Sequence, residues 1–225
     1  MCDFLWPRQT NEGSINPEAP FAKYEKAIQD IGKADATADD PKLLAQSWKI
    51  FDNEAARRNS IDTRAAGMMP AISLAATLVT GVGFTIFKDA TLAASAMVII
   101  MATYLVALVY LVRTMVLVFK VHGQVSRNTP DPSDLPVPEP GAGNPPPPSK
   151  YDRMLACKIM TYTVLNYKVN NVQADLLFVA QRTFRNAIFA ITIGGTLAAI
   201  VLFAHQMLQK SVPEMLKALL AVFGH

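Results

Sequence analysis

Residues 57–84 read RRNSIDTRAAGMMPAISLAATLVTGVGF. Arg57, Arg58, Asp62 and Arg64 open the stretch, and from Ala65 to Phe87 no charged side chain follows. The polar groups in that run are the hydroxyls of Ser73, Thr77, Thr80 and Thr85, which can bond back to carbonyls of their own helix. About 23 residues at ~1.5 Å each cover roughly 34 Å, enough for a hydrocarbon core of ~30 Å. The run therefore reads as a transmembrane helix entered directly from a charged one.

Working outward, Lys88 and Asp89 interrupt the run, and a second apolar stretch extends from Ala90 to about Val112 before Arg113 and Lys120. The connection is short, so the two stretches form a hairpin. Arginines at both ends and a charge-balanced turn place the ends in the cytoplasm by the positive-inside rule. A third run, Ala187 to Ala204, follows Arg182 and Arg185 and is expected to start from the same side. Pro213 then sits at an expected first helical position of a short apolar tail, too short to span and read as an amphipathic interfacial helix.

The polar segments also carry helical patterns. Asp40 before Pro41 reads as a helix cap, and Leu44, Trp48, Phe51 and Ala55 recur at steps of three and four along a helix that meets the first span unbroken. FAKYEKAIQDIGK places Phe21, Tyr24, Ile28 and Ile31 on one stripe. Between the second and third spans DPSDLPVPEPGAGNPPPPSK is a proline-rich linker with extended backbone. From Lys150 neither glycine nor proline occurs until Gly194, and Tyr162, Leu165, Val169, Val172, Leu176 and Val179 alternate in steps of three and four as a coiled-coil seam does.

The expected fold is thus all-α: a multi-pass membrane protein whose long helices extend into the cytoplasm and pack side by side. Its parts are a cytoplasmic helical region (1–64), a transmembrane hairpin (65–119, with spans at 65–87 and 90–112) and the linker (120–149). A long cytoplasmic helix (150–186), a third span (187–204) and the tail (205–225) complete it. A hydrophobic content of 51%, strongly clumped, fits this class. The N-terminus lacks a signal-length apolar core, so the N-terminus is expected in the cytoplasm of a bacterial cell, with the spans in its inner membrane.

Ser73, Thr77, Gly81 and Thr85 form a ridge of small residues at four-residue intervals, and Ala190, Gly194 and Ala198 repeat it in the third span. Such ridges let helices approach closely in lipid, either within one subunit or between copies in a homo-oligomer. Pro70 is expected to kink the first span or to free a carbonyl. Arg57, Arg58, Asp62 and Arg64 either form a phosphate-binding set or the ordinary arginine collar of a membrane face. Asn166 and Asn170, among a crowd of amides with Asn171, either fix helix register or line a pocket.

Catalysis finds no support: the sequence holds no phosphate-cradling glycine loop, nucleophile motif or metal-ligand spacing, and His122, His205 and His225 are scattered. No enzyme, cofactor or metal site is expected. A net charge of +3 without basic runs gives no reason to expect nucleic acid. Cys2 and Cys157 cannot form a disulfide framework and read as bystanders.

The stretch NEAARRNSIDTRAAGMMPAISLAATLVTGVGF resembles the membrane-entrance motif of small bacterial antiphage effectors, the Pycsar transmembrane effectors and the related SLATT group. Their pattern of Asp, one residue, Lys or Arg, then Ala is met here by Asp62, Thr63, Arg64 and Ala65. VNNVQADLLFVAQRTFRNAI is similar to the long helix that returns to the membrane in such proteins, and the likeness covers roughly residues 44 to 206. The third span, the proline linker and the tail depart from the simplest two-span form. The resemblance implies a cyclic nucleotide from a partner cyclase, sensed by the cytoplasmic helices, followed by membrane disruption and abortive infection. A different class also fits the residues: a non-conducting membrane-anchored scaffold that recruits a cytoplasmic partner through the coiled-coil-like helix.

Overall fold

The structure, a computed structural model, describes residues 19–35, 39–88, 94–123, 129 and 148–223. It holds four helices: α1 (Ala19–Lys33), α2 (Asp40–Lys88), α3 (Ala94–Gly123) and α4 (Pro148–Phe223). Among the described residues there is no strand. The N-terminal segment with Cys2, the turn after Lys88, nearly all of the proline-rich linker and His225 lie outside the described residues.

The described chain divides into two compact units. An apolar unit lies within Met68–Leu117 and Val179–His225, and a polar unit within Arg8–Gly67 and Val118–Phe178. Both α2 and α4 contribute to each of them. The helix that begins among charges at Asp40 thus continues without a break into the apolar run, with Pro70 held inside it. Pro70 has no N–H to give to the carbonyl one turn earlier, yet the helix closes around it.

Two helices are long and apolar enough to cross a membrane: α3 over Met97–Gly123 and α4 over Lys150–Leu208. Only 28% and 17% of their most apolar windows are buried, so most of that surface has no partner among the described residues. Large side chains such as Ile99, Leu105, Ile193 and Phe203 are more than half exposed. The expected third span falls inside α4. The expected first span at 65–87 is not among these two helices in the described residues, where Gly67, Pro70, Ser73, Thr77, Thr80 and Gly81 dilute its apolar character. The second run extends past its expected end, since α3 continues to Gly123 with Arg113 half-buried inside it.

The inward stripe of α3 is regular. Ile100, Tyr104, Ala107, Leu111, Thr114, Val118 and Val121 are buried at alternating steps of four and three, the 3.5-residue period of left-handed helix packing. Thr114 spends its hydroxyl on the carbonyl of Tyr110 at 2.8 Å, so it sits in the seam without needing a partner helix.

Three expectations are corrected here. The seam of α4 holds in part: Leu176 and Val179 are buried and Tyr162 and Val169 half-buried as expected, but Leu165 and Val172 are 36% and 40% exposed, and Thr163, Asn170 and Gln173 are buried on the neighbouring face. One residue rotates a helix face by about 100°. In α2, Leu44 and Phe51 of the expected stripe are half-buried, Trp48 and Ala55 face outward, and Asp40, Ser47 and Arg58 are buried. Pro213 does not begin a separate helix, because α4 runs on through it to Phe223.

The two small-residue ridges also part company. Gly194 is packed: a Cβ there would lie 3.3 Å from Thr103 Cγ2 and 3.5 Å from Tyr104 Cζ. Ala198 is buried and Ala190 half-buried beside it. Ser73, Thr77 and Gly81 are exposed, and among the described residues a Cβ at Gly81 would meet nothing within 4 Å. Ser73 and Thr77 turn their hydroxyls onto the carbonyls of Met69 and Ser73. The side chain of Thr85 lies outside the described residues.

Candidate ligand pocket in the polar unit

The polar unit is built from α1, the first part of α2, the last turn of α3 and the first part of α4. Its contacts explain why Asn170 and Gln173 are buried where Leu165 and Val172 are not. Asn170, fully buried, donates from Nδ2 to the Glu54 carbonyl at 3.1 Å and to Glu54 Oε2 at 3.0 Å. Gln173, also fully buried, donates from Nε2 to the Val121 carbonyl at 3.0 Å. Val121 lies in the last turn of α3, where carbonyls have no intrahelical partner, so Gln173 caps that helix from α4. An apolar residue at either position would leave a buried acceptor without a donor, which costs about 1–3 kcal/mol.

At the start of α2 the chain is pinned by Arg153. Its guanidinium holds Asp40 Oδ1 through Nε at 2.9 Å and through a second nitrogen at 2.6 Å, and it also donates to the Asp35 carbonyl. Both partners are more than nine-tenths buried. The Asp39 carbonyl accepts the first helical N–H, from Leu43, so Asp40 lies inside the helix and its carboxylate goes to Arg153 rather than acting as the expected cap. Cys157 stands nearby, with Sγ 3.6 Å from the Ile28 carbonyl. Burial pushes its thiol pKa up, the Arg153 charge opposes that and the Asp40 charge adds to it.

Of the expected α1 stripe, Phe21, Ile28 and Ile31 are half-buried and Tyr24 is 56% exposed. Phe21 packs on Tyr167 with ring centroids 5.9 Å apart, and Lys168 lies 4.8 Å over Phe21 while pairing with Glu25 at 3.1 Å. Behind this contact lies a pocket of about 440 Å³, within the range of small-molecule sites. Phe21, Tyr24, Ala27, Ile28 and Ile31 of α1, Ile50 and Glu54 of α2, and Met160, Thr163, Val164 and Tyr167 of α4 line it.

The site residues expected from the sequence divide around this pocket. Arg57 donates to Asn171 Oδ1 at 2.7 Å, lies 3.6 Å from Glu54 Oε2, and stands 5.2 Å over the Tyr167 ring. It therefore touches two of the pocket's walls. Asn170 reaches the same carboxylate from α4, and Asn166 is half-buried one turn before it. Arg58 instead faces Asp62, with Nε 3.8 Å from its carboxylate, and Arg64 is exposed. Arg57 and Arg58 thus lie beside different carboxylates, Glu54 and Asp62. Glu54, which joins Arg57 to Asn170, was not singled out in the sequence; its signal was the three-residue spacing to Arg57 on one helix face.

Among the described residues no group of three or more His, Cys, Asp or Glu could hold a metal ion. Known protein families, curated proteins and solved structures give no match to this chain.

Proposed function

We propose that the protein is a membrane effector of antiphage defence. Its polar unit senses a cyclic nucleotide made by a partner cyclase, and its apolar helices respond by impairing the membrane. In this reading several copies sit in the bacterial inner membrane as multi-pass chains with cytoplasmic N-termini, and the output is abortive infection without catalysis. One observation supports it above the others: α2 and α4 line the pocket and both continue as the helices of the apolar unit. A ligand that favours one arrangement of these helices shifts the population by its differential affinity for that arrangement. The likeness of residues 53–84 to the membrane entrance of known effectors supplies the biological class.

The test is reconstitution of the full chain in liposomes loaded with a self-quenched dye. Addition of the cyclic mononucleotides one by one should release dye with at least one of them. Intact vesicles with every one, at protein densities where insertion is verified, would overturn the effector reading. A second reading draws on the outward-facing Leu165 and Val172, which leave an apolar strip on α4 for another protein. In that case the chain is a scaffold, and crosslinking would recover a stoichiometric partner from cells whose membrane potential is unchanged.

A further inference from the structure

The interior of the pocket offers hydrogen-bond acceptors and no fixed donor. Glu54 is acceptor-only when ionised, and its Oε2 is the oxygen engaged by Asn170 and Arg57. Among the described residues nothing bonds Oε1. Thr163, buried in the α4 wall, spends its proton on the Ile159 carbonyl at 2.8 Å, which leaves its oxygen as an acceptor. Tyr24 and Tyr167, which carry the phenols of the lining, are 56% and 40% exposed. The remaining walls are aliphatic or aromatic.

From this inventory we infer that the pocket takes a flat, largely apolar ligand that presents an N–H edge to Glu54 and keeps any anionic group outside, toward Arg57. A phosphate inside would face the Glu54 carboxylate, and among the described residues no cation lines the pocket. A ring with an amino group would satisfy Oε1 and stack against Phe21 and Tyr167. The amino-bearing nucleobases and aromatic amines share this chemistry. Uracil fits poorly, because two carbonyls flank its N–H and would meet the carboxylate. The assignment rests on the pocket being the sensing site of the function proposed above, and it adds which end of the ligand enters.

The experiment is calorimetric titration of the full chain in detergent with the 3′,5′-cyclic monophosphates of guanosine, adenosine, cytidine and uridine, and with tryptamine. At least one amino-bearing probe should bind tenfold or more tighter than cyclic UMP. Preference for a nucleotide or for tryptamine identifies the source of the ligand. Glu54→Gln should weaken the best probe at least tenfold. Because that change also alters the bond to Asn170, Ala27→Trp serves as a second variant: Ala27 is exposed on α1, so the indole fills the pocket from its rim and should abolish binding at an unchanged melting temperature. Tightest binding by cyclic UMP, absence of binding by all five probes, or binding that survives both variants would overturn the assignment. Dye release is read separately, so binding without leakage would sink the effector reading and leave the pocket standing.

Discussion

The apolar and polar units solve the same problem, how to hold long helices together, with opposite chemistry. In the apolar unit the close contact is Gly194 against Thr103 and Tyr104, and hydroxyls such as those of Thr114 and Thr183 bond to their own helices. In the polar unit the helices are joined by Arg153 to Asp40, Asn170 to Glu54 and Gln173 to Val121. The difference follows from the surroundings each outer face is fitted for. Where the outside is apolar, burial of more apolar surface gives no preference for one partner, and close backbone approach supplies the packing. Where the outside is polar, burial alone is unselective in register, and directional bonds choose which face turns inward.

The largest break in this comparison should come from Arg153. Arg153→Met leaves Asp40 as a buried carboxylate without its cation, and loss of one partner of a buried pair costs about 3–5 kcal/mol. Thermal unfolding of the solubilised protein should shift sharply down, with amide exchange rising first in α1 and the start of α2. Replacing both partners, as Arg153→Met with Asp40→Leu, should recover most of the loss. A double variant as unstable as the single one would mean that the pair contributes more than the penalty of an orphaned charge.

Next in size is the contrast between two glycines. Gly194→Leu must push into Thr103 and Tyr104, and overpacking of this kind costs about 1–3 kcal/mol. Gly81→Leu meets open space among the described residues, so the folded monomer should be unaffected. If copies assemble through the Ser73, Thr77 and Gly81 ridge, crosslinked oligomers should disappear in Gly81→Leu while insertion persists. Equal destabilisation by the two changes would erase the distinction between a used ridge and an open one.

Asn170→Leu sharpens the polar half. Glu54 loses a donor to its carbonyl and to Oε2, and a cost of about 1–3 kcal/mol is expected by the same unfolding measurement. Stability equal to or above that of the parent would show that apolar packing, not directional bonding, sets the α4 seam.

These positions also mark how far the sequence was legible. Of the α1 stripe that the helical period marks, Phe21, Ile28 and Ile31 are half-buried and Tyr24 is exposed. In α4 and α2 the apolar residues alone place Leu165, Val172 and Trp48 inside, where all three are exposed, while Leu176 and Val179 are buried as expected. That rule fails where buried amides and charges have partners waiting on other helices, and a partner such as the Val121 carbonyl, far along the chain, leaves no local mark. In α3 the difficulty was reversed: nearly every position is apolar, so the stripe from Ile100 to Val121 has no contrast against its background. The pocket depended on bringing α1, α2 and α4 together, and Glu54 looked like one more surface acid.

The smallest expected effect concerns Cys157, whose thiol is pushed up by burial, with the Arg153 charge opposing and the Asp40 charge reinforcing. The folded state therefore holds its proton more tightly than the unfolded chain does. The sign is fixed by linkage: the stability that this proton contributes is complete below the unfolded thiol's pKa of about 8.5 and is lost as pH rises through the folded value. In a Cys2→Ser background only Cys157 remains, so alkylation by iodoacetamide reports on it alone. Its rate at pH 8 should lie below that of a free thiol and should climb along a curve displaced to higher pH, since the thiolate is the reacting form. A profile centred on or below the free-thiol value would mean that Arg153 outweighs burial at this site, and that the guanidinium is aimed at the sulfur more than at Asp40.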